Sequence, residues 1–225
     1  MLSVENIRVA VAGNTVLRDI SFTLPNGETT VLIGRNGAGK TTTLRAIMGL
    51  LPLAAGRILV NDRDLDGVAT YERPALGLGY APEDRRMIPS FSVRENLLLP
   101  TVALRFPETL KTERLRAVYD LMPELEELQN RSGGTLSGGQ GKMVALGRAL
   151  MVATDVLLLD EPFQGLAPVL AQSYARTLKK VRDQRPDLAV LVTESSPQLL
   201  GEVTDRALKI ERGEISETTL AEAGH

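Results

Sequence analysis

"ETTVLIGRNGAGKTTTLRAIMGLL", residues 28–51, decides the fold. Its opening apolar run reads as a short buried strand, and Lys40–Leu51 reads as a helix. Between them "GRNGAGKT", Gly34–Thr41, fits G-x-x-x-x-G-K-[ST], the pattern of a loop that wraps a phosphate where a strand hands over to a helix. Gly34, Gly37 and Gly39 allow backbone amides to approach an anion, and the helix adds the positive end of its dipole. Lys40 then reaches the β- and γ-phosphates, and Thr41 ligates Mg²⁺. The candidate contacts are Gly34, Arg35, Asn36, Gly37, Ala38, Gly39, Lys40, Thr41 and Thr42.

Upstream, Leu2–Val11 and "TVLRDISFTL" read as strands, with Val16, Ile20, Phe22 and Leu24 spaced for one buried face. "PNG" at 25–27 is a turn, and "GRILVND" and "GLGYAPE" are further short strands. Residues 84–150 change to helical patterns, with a capping-box start at Ser92 and Glu95. Alternation then resumes: strand "DVLLLD", a helix from Pro168, strand "LAVLVT", a helix near 197–204, and a hairpin turning at Arg212 and Gly213. In the helix from Pro168, Val169, Leu170, Tyr174 and Leu178 fall near one face, read as core. The pattern predicts an α/β fold with a mainly parallel core sheet, an antiparallel β subdomain and a helical subdomain. It divides one domain, 1–225, into a β subdomain and core at about 1–83 and 151–225, and a helical part at about 84–150.

The bulk numbers exclude several classes. Lys plus Arg is 26 against 28 for Asp plus Glu, a net charge of −2, so no field favours nucleic acid as a partner. Arg85 and Arg86 are too few for a nucleic-acid patch and read as a solvated or partner-facing pair. The absence of cysteine fits a reducing cytosol. No apolar run reaches the roughly 20 residues of a membrane span, and "MLSVENIRVA" lacks a secretory signal's basic start. Work at a membrane therefore requires a partner.

"VLLLDEP", residues 156–162, presents two carboxylates at a strand end. Asp160 is placed to hold the Mg²⁺ shell, and Glu161 is a candidate general base for an attacking water. In "LSGGQ", residues 136–140, a serine and two glycines at a helix start offer a hydroxyl and free amides to an anion.

"GRNGAGKT", "LSGGQ" and "VLLLDEP", in this order and spacing, resemble the nucleotide-binding domain of ATP-binding-cassette (ABC) proteins over essentially the whole chain. The resemblance implies an ATPase in which two such domains pair head to tail around two ATP molecules. It implies that Ser137, Gly138, Gly139 and Gln140 contact the γ-phosphate held by the partner. Within the family, "YAPEDRRMIPSFSVRENLLL" (80–99) and "DEPFQGLAP" (160–168) are similar to the branched-chain amino acid uptake ATPases. That likeness gives Glu83 a place on the metal or its water beside Thr41 and Asp160. It also implies a second ATPase subunit, two integral membrane permease subunits contacted by about Asp84–Leu99, and a periplasmic solute-binding protein met indirectly. The chain would then lie on the cytoplasmic face of the membrane. Urea or amide uptake, or a subunit of a heterodimer with impaired hydrolysis, are the alternatives.

Four positions depart from the family. Val11 and Ala12 stand where an aromatic residue usually stacks the adenine, so affinity rests more on the phosphates. Phe163 replaces a small serine, as core packing or as a dimer-seam group. Gly141 replaces a longer polar residue, at up to ~1 kcal/mol relative to alanine within a helix. Glu194 follows strand "LAVLVT" where a switch histidine touches the γ-phosphate in many relatives, while the single histidine here is His225. An ionised carboxylate only accepts hydrogen bonds. Glu194 therefore binds protonated, acts through water or a neighbour such as Thr193, or points away.

Overall fold

The computed structural model describes residues 1–196, 200, 201 and 203–223. Among the described residues ten strands form two sheets. The antiparallel sheet is built from β1 (Leu2–Val11), β2 (Asn14–Leu24), β4 (Ala55–Val60) and β5 (Arg63–Asp64), in the order β2-β1-β4-β5. The second sheet contains β3 (Thr29–Ile33), β6 (Leu78–Ala81), β7 (Val156–Asp160), β8 (Ala189–Glu194), β9 (Arg206–Glu211) and β10 (Glu214–Thr218). Its order is β10-β9-β3-β8-β7-β6, and every pairing is parallel except β9 with β10.

Both faces of this sheet are covered, which is why its strands read as unbroken apolar runs. Val31, Ile33, Leu157, Leu159, Val190 and Val192 face one apolar cluster. That cluster is completed by α2 (Val93–Ala103), α3 (Glu108–Leu121), the short α4 (Pro123–Glu127), α5 (Gly138–Leu150) and α6 (Pro168–Gln184). The intervening residues Leu32, Val156, Leu158, Ala189 and Leu191 face the other cluster, against α1 (Lys40–Ile47) and the antiparallel sheet. The chain closes with α7 (Leu220–Ala223).

Local chemistry sets the element ends. Ser92 Oγ accepts from the Glu95 N–H and Glu95 Oε2 accepts from the Ser92 N–H, the reciprocal cap expected for α2. The β9–β10 hairpin turns at Arg212 (φ 52) and Gly213 (φ 82), the two successive positive φ values that suit a tight two-residue connection.

Two expectations change. In β2 the inward residue is Leu17, fully buried, and Val16 is only partly buried. Ile7 pairs with Ile20 and Val9 with Leu17, so an extra residue enters β2 beside Asp19 (φ 51) and inverts the alternation there. In α6 the core stripe is Ala171, Tyr174, Leu178 and Val181, whereas Val169 is 74% and Leu170 37% exposed. Val169 lies opposite that stripe on the helix wheel, and Leu170 leans over Gly139 instead. The helix expected near 197–204 falls largely outside the described residues, as does His225.

Candidate active site

β3, β8 and β7 are neighbours in register: Ile33 pairs with Glu194, and Asp160 with Thr193. Their carboxyl ends therefore bring Gly34, Asp160–Glu161 and Thr193–Ser195 to one edge, where open α/β sheets place their ligands. The loop needs its glycines. A Cβ on Gly34 would lie 2.4 Å from Ile210 O, and Gly39 holds φ 118 with Leu17 Cδ2 at 2.8 Å from the same construction.

Lys40 is 4% exposed, and its ammonium is ringed by acceptors: Gly34 O at 2.6 Å, Arg35 O at 3.1 Å, Ser195 Oγ at 3.1 Å and Glu161 Oε1 at 3.0 Å. Thr41 Oγ1 donates to Asp160 Oδ1 at 3.0 Å. Thr193 Oγ1 donates to the same oxygen at 2.9 Å, and Tyr80 donates to Oδ2 at 3.3 Å. Burial pushes the Asp160 carboxyl above its usual range, and these three hydroxyls act against that shift. Asn36, Gly37, Lys40, Thr41, Glu83 and Glu161 help line a cavity of about 230 Å³. The sequence-chosen Glu83 thus opens onto the same space as Thr41 and Glu161.

These groups fit a magnesium triphosphate. The first N–H groups of α1 have no partner within the helix, Lys40 supplies a cation, and the Thr41 hydroxyl touches the Asp160 carboxylate. Among the described residues no group of three or more His, Cys, Asp or Glu could hold a metal ion.

Beside Gly37 and Ala38 a wider cavity of about 870 Å³ opens, walled by Thr15, Val16, Arg18 and Arg212 among others, with no aromatic side chain in its lining. Val11 and Ala12 lie on the exposed β1–β2 turn.

At the end of β8, Glu194 adopts the orientation that points away, one of the three the sequence left open. Glu194 is 4% exposed but continues the Val190–Val192 face, away from the loop, and its Oε1 accepts from the Phe163 N–H at 2.9 Å. The residue over the phosphate loop is Ser195, whose Oγ lies 3.1 Å from Lys40 Nζ, 2.9 Å from Asn36 Oδ1 and 3.1 Å from Glu161 Oε1. Strand parity was the signal available: Thr193 shares the Leu191 face, so Glu194 must take the other. Burial, before any charge, raises the Glu194 carboxyl from 4.5 to about 7. Phe163, the other departure nearby, packs edge-on against Tyr174, ring centroids 5.4 Å apart.

Ser137 caps α5. Its Oγ accepts from the Gln140 N–H at 3.3 Å, and its own N–H donates to Gln140 Oε1 at 3.0 Å. Ser137 and Gly138 are exposed, while Gly139 is buried beneath Leu170. Arg85 is not a solvated surface charge. It lies half-buried across α5, donating to Gly138 O at 3.3 Å, and a Cβ on Gly141 would sit 3.1 Å from its Cδ. Gly141 thereby gains a reason. Arg148 holds the same segment by donating to the Arg86 carbonyl at 2.7 Å and to that of Arg85. Arg86 is exposed and pairs with Asp84 at 2.9 Å.

The family model described as "ABC transporter" matches residues 17–164. The lipopolysaccharide export system ATP-binding protein of Escherichia coli (strain K12) is 34% identical over 95% of this chain and 88% of its own length. The high-affinity branched-chain amino acid transport ATP-binding protein of Pseudomonas aeruginosa is 33% identical over 96% and 91%. The ADP form of an ATP-binding cassette from an ABC transporter superposes with a TM-score of 0.81 at 26% identity, covering 99% of this chain and 92% of that one. A dimeric bacterial cassette superposes at 0.85 with 21% identity over 98% and 99%, a likeness of fold. No helix among the described residues is long and apolar enough to cross a membrane. With the loop, the paired carboxylates and the serine-capped helix in place on this fold, the chain belongs to the ABC transporter family, as an ATP-binding subunit and an ATPase.

Proposed function

We propose that this subunit hydrolyses ATP as half of a head-to-tail pair beneath two membrane permease subunits, driving uptake of branched-chain or related amino acids. The observation that carries the hydrolytic part is the contact set around Lys40, which joins the phosphate loop to Glu161 and Ser195 within 3.1 Å. Backbone amides of Gly37–Thr42 and the Lys40 ammonium would hold the phosphates. Thr41 and Asp160, with Glu83 facing the same cavity, would hold Mg²⁺, which when bound would neutralise phosphate charge. Lys40, on turning to the phosphates, frees the Glu161 carboxylate to take a proton from the attacking water. Ser195 Oγ, able to donate where a carboxylate cannot, is the side chain over the loop, one residue beyond Glu194. Ser137, Gly138, Gly139 and Gln140 close the partner's site.

The helices from α2 to α5, about residues 84–150, act as the unit that carries this signature, and Asp84–Leu99 meets the permease. The subunit is thereby peripheral on the cytoplasmic face, and a periplasmic solute-binding protein is reached only through the permeases. The amino-acid cargo rests on the stretches 80–99 and 160–168. A lipopolysaccharide-type export role is the second reading, supported by the 34% identical relative. Co-purifying the chain with each class of permease and measuring cargo-stimulated ATP hydrolysis in vesicles decides between them. Stimulation by an amino acid through its binding protein supports the first reading, and stimulation by lipopolysaccharide alone overturns it.

A further inference from the structure

The turn after β7 holds its backbone in a costly shape. Glu161 has φ 44, the left-handed region that a non-glycine residue keeps only when its surroundings over-determine it. Three neighbours do so. The Glu161 N–H donates to Thr193 O and to Thr193 Oγ1, each at 3.1 Å. The Glu161 carbonyl accepts from Lys142 Nζ at 2.5 Å. Two residues on, the Phe163 N–H is fixed by Glu194 Oε1 at 2.9 Å. Thr193 and Glu194 lie in β8, the sheet neighbour of the strand that ends at Asp160, one residue before Glu161. Lys142 stands instead on α5, the helix that Ser137 caps.

The side chain is built for this place. Lys142 is largely buried, which lowers the pKa of its ammonium, and the carboxylates of Glu194, Glu83 and Glu161 act to keep it charged. An ammonium on a buried carbonyl is a charge-assisted bond, about twice as strong as a neutral one. One cation therefore links the signature helix to the turn that aims Glu161.

We propose that Lys142 is a positioning residue for hydrolysis, tying the strained turn at Glu161 to the signature helix so that seating Ser137–Gln140 on a partner's triphosphate sets the aim of the Glu161 carboxylate. The inference rests on reading Glu161 as the base and Ser137–Gln140 as the contact made across the dimer. It gives Glu194 a purpose as the anchor at the far end of the turn and as a counter-charge to Lys142.

The test uses the purified full chain, with steady-state ATP hydrolysis, nucleotide affinity by calorimetry and melting temperature measured for Lys142→Met, Lys142→Gln and Lys142→Arg. Misplacing a catalytic group by about 1 Å costs on the order of 100-fold. The expected result for Lys142→Met is thus a kcat lower by about 10- to 100-fold, with nucleotide affinity unchanged and most of the rate restored in Lys142→Arg. Lys142→Gln gives the same answer should Lys142→Met fold poorly. A kcat equal to the starting protein, an equal loss of nucleotide affinity, or an arginine variant no better than methionine overturns the proposal. Glu161→Gln is assayed alongside. Retained turnover there overturns the base assignment itself, whereas a dead Glu161→Gln beside a fully active Lys142→Met overturns only the role of Lys142.

Discussion

The phosphate loop and the signature helix are both built on helix N-termini, yet the charged side chains gathered behind the first are buried and the second lies open. Lys40, Asp160 and Glu161 are 4%, 2% and 6% exposed and satisfy one another through Thr41, Thr193 and Ser195. Ser137 and Gly138 stand exposed, with the Ser137 side chain occupied by its own cap. A single chain completes the first arrangement, and the second offers a surface to something outside. The difference teaches where the two proposed roles would separate by region: holding nucleotide at the loop, and licensing its cleavage at the signature.

Substitutions can break that separation. The largest effect is expected for Glu161→Gln, which removes the base and lowers turnover by at least ~100-fold while leaving binding intact; an ATP-dependent dimer in size-exclusion chromatography is the check. Lys40→Ala is expected to abolish measurable ATP binding by calorimetry. It also leaves Glu161 buried without its cation, a loss of about 3–5 kcal/mol that denaturant unfolding would register. Unaltered nucleotide affinity in that variant would remove the loop from its role. Ser137→Ala should keep the binding affinity of the single chain, lower turnover of the pair, and cost only about 1 kcal/mol for the lost cap.

Glu194 sharpens the comparison because it is buried beside the loop yet outside it. Its carboxyl pKa is raised from 4.5 to about 7, so the folded protein binds its proton more tightly than the unfolded chain. The stabilisation is complete below about pH 4.5 and is lost as pH rises through about 7. At ~1.4 kcal/mol per pKa unit the span amounts to about 3 kcal/mol. Glu194→Gln should therefore flatten the fall in stability between pH 5 and 8, seen as melting temperature against pH, with little change in nucleotide affinity. A steep loss of affinity would return Glu194 to the phosphate site.

Much of this was legible before any coordinates. Gly34–Thr41 combines glycine spacing, a lysine and a hydroxyl whose chemistry depends on local sequence alone, and the runs Val31–Ile33 and Val156–Leu159 announce a sheet covered on both sides. The readings that failed depend on parity or on what lies across a gap. One bulge at Asp19 exchanged Val16 for Leu17. The outward side of α6 left Val169 in solvent. At Gly141 a Cβ would lie 3.1 Å from Arg85 Cδ, a neighbour that no local pattern announces. Lys142 and Ser195 drew no notice, since a lysine in a helix and a serine after a strand have no distinctive local pattern.

The sequence by itself determined the strand-loop-helix that grips phosphate, the acidic strand end, the serine-capped signature and the family they share, because each is a contiguous pattern of backbone freedom and side-chain chemistry. Only the tertiary structure decided which face of β8 meets the loop, and that Lys142 reaches Glu161 from another helix. Those outcomes come from pairing register and from packing between segments far apart in the chain, and a one-residue change in parity there exchanges Ser195 for Glu194 over the loop.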